Sequence, residues 1–343
     1  MSERDSGMVV ELRESPDAVR RQAQGLAGAV AELVARLKRK PPHFVVTCAR
    51  GSSAHAATFG KHLFERHLGI PVGAAAPNIA TVYGRRLDLA GQLFLAVSQS
   101  GRSDDLVEFA AMAREAGALT VALVNDTASP LAATSDIVLP IAAGPERSVA
   151  ATKTFVATLA ALLRLTASWT GDAAMGAAVE RLPERLAAAS DLDWSAALGV
   201  FAASNSLVTI GRGPTLAIAR EASLKFKETC DLHAEAFSGA EFLHGPVALV
   251  STLYPILMFM PTDAAATGLR ELAADLRRKG ASVFFTDVDT KTEGVLPALP
   301  SDHPDADAVC LIQSFYALAV ALAARRGKDV NQPRHLQKVT RTR

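Results

Sequence analysis

Leu95-Ala96-Val97-Ser98-Gln99-Ser100-Gly101-Arg102-Ser103-Asp104-Asp105 sets an apolar strand, a hydroxyl-rich turn and a helix start in direct succession. From Ser103 onward the pattern is helical, with Leu106, Phe109, Ala110 and Met112 able to share one face. Ser103 stands where an N-cap belongs, and Asp104 and Asp105 suit a first turn. Such a junction binds a phosphate monoester, because free backbone N–H groups and the positive helix end converge while serine hydroxyls add donors. The same letters also spell an ordinary capped turn of an αβ unit, so both readings stand at this point. A second strand-to-helix turn carrying hydroxyls is Ala49-Arg50-Gly51-Ser52-Ser53. Acid–base chemistry has another candidate in Glu221, Lys225 and Glu228, which lie on one helical face. A carboxylate tuned by a neighbouring lysine can carry a proton between adjacent carbons. A solvated surface pair has the same spacing. His244, before Gly245-Pro246, either titrates near neutral pH or caps that turn.

The elements that must position these residues follow an alternating rhythm. Ser15-Pro16-Asp17 opens a long helix whose apolar positions run to Leu37, closed by Lys38-Arg39-Lys40 and Pro41-Pro42. Strands are expected at His43 to Cys48, Ile70 to Ala76, Phe94 to Val97, Leu119 to Val124 and Ile137 to Ile141, with helices between them. A further helix runs from near Val149 or Thr152 to about Trp169. This rhythm predicts a doubly wound α/β lobe. The second half repeats the first: Val208-Thr209-Ile210-Gly211-Arg212-Gly213 answers Val46-Thr47-Cys48-Ala49-Arg50-Gly51. The same separation pairs Phe226 with Phe64 and Val283 with Val121. The repeat is not symmetrical in chemistry, since Met260-Pro261-Thr262-Asp263 replaces Ser98-Gln99-Ser100-Gly101. Helices are expected at Ile218 to Thr229 and Ala308 to Arg325, and His233 and Glu235 are read as part of a loop.

Composition narrows the classes. The 343 residues suffice for two domains, and a net charge of +1 with mixed signs points to neither nucleic acid nor an anionic membrane. The most apolar stretch, around Phe155 to Trp169, is interrupted by Lys153 and Arg164, so no membrane span is expected. Met1-Ser2-Glu3-Arg4-Asp5 lacks the apolar core a signal peptide requires, so none is expected and the cytoplasm is the expected compartment. Cys48, Cys230 and Cys310 form no disulfide framework, and Cys48 and Cys310 read as core residues. His55, His62 and His67 share a helix at spacings unsuited to a metal, His303 reads as a solvated loop residue, and neither metal nor cofactor is expected.

Four segments in order carry a resemblance over nearly the whole chain: Ser98-Gln99-Ser100-Gly101, Ala151-Thr152-Lys153-Thr154-Phe155, Glu221 through His244-Gly245-Pro246, and Gln332-Pro333-Arg334-His335-Leu336-Gln337-Lys338. Together they resemble the tandem sugar-isomerase (SIS) domains in the isomerase half of glucosamine-6-phosphate synthase. The resemblance implies an α/β fold of two tandem SIS domains, each a doubly wound, flavodoxin-like parallel sheet flanked by helices. It divides the chain into an N-terminal helical segment (1–40), a phosphate-binding domain (41–172), an acid–base domain (195–328) and a tail closing over the site (329–343). No glutaminase nucleophile follows Met1, which suits stand-alone type II glucosamine-6-phosphate deaminases. The resemblance implies that Ser98, Gln99, Ser100 and Ser103 hold the phosphate, with Ser52 and Ser53 lining the same site. It places Val149 and Ala151 at the sugar, although the synthase usually has serine where Ala151 stands. Glu228 becomes the proton carrier with Lys225 tuning it, and His244 opens the ring from the neighbouring subunit, which implies a homodimer. Lys338 folds over the sugar and can form a Schiff base with the ketose carbonyl. Fructosamine-6-phosphate deglycases, galactosamine-6-phosphate deaminases and aldose–ketose isomerases share the phosphate turn and Glu228, whereas a non-catalytic sugar-phosphate sensor has no need of Glu228, His244 and Lys338 together.

Overall fold

The structure, a computed structural model, describes residues 7–338. The chain opens with α1 (Gly7–Arg13) and α2 (Ser15–Arg39). The first sheet and its helices follow as β1 (Val45–Cys48), α3 (Gly51–Leu68), β2 (Val72–Ala74), α4 (Asn78–Thr81), β3 (Leu93–Ser98), α5 (Asp104–Glu115), β4 (Leu119–Val124), α6 (Pro130–Thr134) and β5 (Ile137–Pro140). Three helices come next: α7 (Lys153–Thr170), α8 (Ala173–Ser190) and α9 (Leu198–Ala203). The second sheet is built from β6 (Ser206–Gly211), α10 (Thr215–Cys230), β7 (His233–Ser238), α11 (Gly239–Leu243), β8 (Pro255–Met258), α12 (Ala266–Arg278), β9 (Ser282–Asp287) and β10 (Val295–Pro297), and α13 (Pro304–Arg325) closes the order.

Every strand pairing is parallel, in the orders β2-β1-β3-β4-β5 and β10-β9-β8-β6-β7. Parallel strands covered on both faces need continuous apolar runs, and β3 meets this with six buried residues, Leu93 to Ser98. In both sheets the first strand lies beside the third, so the order reverses at β1/β3 and at β6/β8. The crevice outside the carboxyl ends at such a reversal is where open α/β sheets bind ligands.

The chain divides into two compact units. Among the described residues, one gathers Asp17–Glu146, Lys153–Glu180, Gln337 and Lys338; the other gathers residues 7–16, Arg147–Thr152 and Arg181–Leu336. In the first unit Phe94 of β3 stacks on Phe109 of α5, ring centroids 5.5 Å apart. In the second, Phe226 of α10 meets Phe201 at 5.9 Å and Phe315 of α13 at 5.0 Å, both edge-on. This packing holds α10 firmly against α13 and gives the carboxylates on α10 a fixed base.

The elements read from the sequence recur within a few residues of their expected ends, with three differences. His233 to Ser238 is not a loop but the edge strand β7, paired in register with β6. Its alternation of exposed His233 and Glu235 with buried Ala234 is the period-two signal of a half-covered strand. His303 is not solvated but caps α13, its Nδ1 accepting the Asp305 N–H at 3.3 Å. Among the described residues, α13 rather than Phe155 to Trp169 is long and apolar enough to cross a membrane. Of its most apolar stretch, 89% is buried inside the fold, which makes it a core helix. All three cysteines are buried as free thiols, and burial raises Cys48 and Cys310 to about 12 and Cys230 to about 11.

Candidate active site

Two hydroxyl-bearing turns stand at the carboxyl edge of the first sheet. Ser52 and Ser53 open α3 after β1, and Ser98 to Ser103 lead from β3 into α5. Because Cys48 of β1 pairs with Ala96 of β3, the two turns leave adjacent strands. The Ser98 hydroxyl accepts the Gly101 N–H at 3.0 Å, and the Ser100 hydroxyl accepts the Arg102 N–H at 3.4 Å. The Gln99 carbonyl accepts from Asn125 and Asp126, each at 3.3 Å, and the Gly101 carbonyl from Leu131 at 3.1 Å. Gly101 is obligatory on two counts. Its φ of +62° suits glycine, and a Cβ there would come within 2.1 Å of the Ser129 hydroxyl. Ser103 occupies the N-cap position of α5, but its hydroxyl makes no capping hydrogen bond. The sequence expectation of a side-chain cap is corrected here: its carbonyl accepts from Leu106 instead, at 3.1 Å.

One contact across this edge escaped the sequence reading. Arg50, at the N-cap of α3, forks onto the buried Asp105 of α5, with Nε at 3.1 Å and a terminal nitrogen at 2.7 Å from Oδ2. It ties the two turns together, yet the partners are far apart in sequence and nothing local to either pairs it with the other.

On α10 the second unit carries the cluster of Glu221, Lys225 and Glu228. Lys225 is fully buried, its ammonium 3.3 Å from Glu221 and hydrogen-bonded to Glu228. Glu221 is also buried and takes the Tyr316 hydroxyl of α13 at 3.4 Å. The Glu228 side chain is 20% exposed, so of the three it is the one that reaches solvent. Burial alone would lower the lysine pKa; the charges of Glu221 and Glu228 and their hydrogen bonds outweigh it and raise the value. Lys225 is therefore an ammonium at neutral pH, and a solvated surface pair is ruled out by its burial.

Val149 and Ala151 lie half-buried in the segment before α7. Buried Glu11 of α1, absent from the sequence reading, fixes that segment by accepting backbone N–H groups from Arg147 and, at 3.2 Å, Ser148. His244 ends α11, fully on the surface, and no hydrogen bond or ion pair joins it to the α10 group among the described residues. Exposed Leu243, Leu249 and Leu253 are its apolar neighbours in the chain. Lys338 is half-buried, with Nζ 3.8 Å from Glu146.

The counterpart of the serine turn in the second sheet has changed character. Asp263 sits just ahead of α12, its carboxylate accepting the Ala265 N–H at 2.9 Å and its carbonyl the Ala266 N–H at 3.0 Å. A cavity of about 340 Å³ opens beside it, and its lining includes Met260, Thr262, Thr286, Asp307 and Ser314. Glu228, Lys225 and His244 do not line it, so it is separate from the α10 cluster.

The SIS domain profile matches residues 41–168 and 200–292. Glutamine–fructose-6-phosphate aminotransferase (isomerizing) from Symbiobacterium thermophilum is 31% identical over 96% of this chain and 58% of its own length. The chain thus spans little more than half of that curated relative. A candidate phosphosugar isomerase from Silicibacter pomeroyi DSS-3 superposes with a TM-score of 0.90 at 47% identity, covering 95% of this chain and 99% of that one. The C-terminal domain of glucosamine-fructose-6-phosphate aminotransferase from Francisella tularensis superposes with a TM-score of 0.84 at 25% identity, covering 96% and 98%.

Proposed function

Because this chain belongs to the SIS domain family, we propose that it is an aminosugar-phosphate deaminase/isomerase, converting glucosamine 6-phosphate to fructose 6-phosphate and ammonia. The observation that carries this reading is the buried ammonium of Lys225 clasped by Glu221 and Glu228, with Glu228 reaching solvent. In the opened aldose, Glu228 takes the proton from C2 as the electrons move to form an enolamine, and the carbonyl oxygen becomes a hydroxyl. Returning the proton to C1 gives the C2 imine, and water then replaces nitrogen to leave the ketose and ammonia. A fixed positive charge beside Glu228 stabilises electron density gathered on the sugar.

The phosphate is held at the turns of Ser52, Ser53, Ser98, Gln99, Ser100 and Ser103, where the amino ends of α3 and α5 supply N–H groups. Val149 and Ala151 contact the sugar, and Lys338 presents its amine to the carbonyl carbon. His244 serves ring opening in a homodimer, where its exposure and the apolar side chains near it in the chain suit an intersubunit surface.

The decisive assay offers glucosamine 6-phosphate and follows ammonia and fructose 6-phosphate together. Glu228→Gln should bind the substrate about as well as the parent chain while losing roughly 10²–10⁴ of kcat. Plain aldose–ketose isomerisation is a second reading, favoured by the 47% identical Silicibacter pomeroyi relative. Turnover of an unaminated ketose phosphate without ammonia release from any hexosamine phosphate would establish it instead. Binding and biological role both surviving Glu228→Gln would mark a sensor.

A further inference from the structure

The geometry points to Glu146 as the positioning residue for Lys338. The Glu146 side chain has no exposed surface, and its second carboxylate oxygen lies 3.8 Å from the Lys338 ammonium. Its first oxygen accepts the Thr154 N–H at 3.2 Å, in the first turn of α7. A helix amino end favours a carboxylate there, so Glu146 is fixed by the helix and not by the lysine. A buried carboxylate is costly without a cation nearby, whereas a half-buried lysine still has many rotamers to lose. The contact therefore works in one direction: the rigid acid selects where the flexible amine sits. Elsewhere in the same tail, Asp231 takes Lys328 at 2.7 Å and Arg334 at 2.5 Å, on a more exposed surface. Asp231 anchors the tail as a segment, and Glu146 aims its last functional side chain.

This assignment rests on the proposal that Lys338 faces the substrate carbonyl, and its test separates the two. Amine acetylation by an N-hydroxysuccinimide ester, read residue by residue by mass spectrometry, reports the freedom of Lys338 without any turnover. Glu146→Gln should label Lys338 about fivefold faster than the parent chain, the scale of a lost ion pair. Glu146→Asp keeps the charge but withdraws it by one methylene, and should label at an intermediate rate, which also covers the case of an unstable glutamine variant. Asp231→Asn should speed labelling of Lys328 and leave Lys338 near the parent rate. In turnover assays Glu146→Gln should lower kcat about tenfold with KM little changed, and Glu146→Asp should recover part of it. Equal labelling of Lys338 in the parent and both Glu146 variants would overturn the assignment. Faster labelling in a chain with no activity on any hexosamine phosphate would uphold it and reject the proposed reaction.

Discussion

Lys225 shows what a single residue adds once its surroundings are known. Its spacing from Glu221 and Glu228 was legible in the sequence, but burial was not, because helical spacing says which residues share a face and not what covers it. The cover comes from α13, whose Tyr316 bonds Glu221 from a position far along the chain. Replacing Lys225 by Met should cost about 3–5 kcal/mol in urea unfolding, since it strands buried carboxylate charge. The pH dependence has a definite sign. The folded-state pKa of Lys225 is raised above the ordinary 10.5, so its stabilising contribution is complete below that value and disappears as pH rises through the higher folded one. Unfolding free energies measured from neutral to strongly alkaline pH should therefore fall at the alkaline end, and the fall should be shallower in Lys225→Met.

At the scale of elements, the two turns after β1 and β3 were visible because strand endings, hydroxyls and helix starts are local signals. The Arg50–Asp105 tie was not, since nothing in either turn announces a partner at the start of the neighbouring helix. Strand β7 was misread for a related reason. His233 and Glu235 were read as polar loop residues, when their alternation with Ala234 was itself the sheet pattern. Gly101→Ala tests how tightly the serine turn is built. A Cβ would clash with the Ser129 hydroxyl, so the variant should lose at least tenfold in affinity for a sugar phosphate by calorimetry. Gly51→Ala, also at positive φ but with open space around the new methyl, should cost only about 1 kcal/mol of stability and leave binding largely intact.

For the whole molecule, the repeat was legible because Val208 to Gly213 copies Val46 to Gly51, and the two sheets indeed share one strand order. The contribution of Glu11 and Glu146 was not legible. Each is an isolated acid whose role depends on backbone N–H groups that only the folded chain brings to it. Duplication supplied two copies of a crevice, and they have since diverged in charge.

The Asp263 carboxylate already occupies the amino end of α12. A negative group resident there repels a second one, so the crevice of the second sheet is closed to an anion that the same architecture would otherwise suit. Titration with a hexose phosphate should saturate at one equivalent per polypeptide, and Asp263→Ser is the change by which a second equivalent would first become measurable.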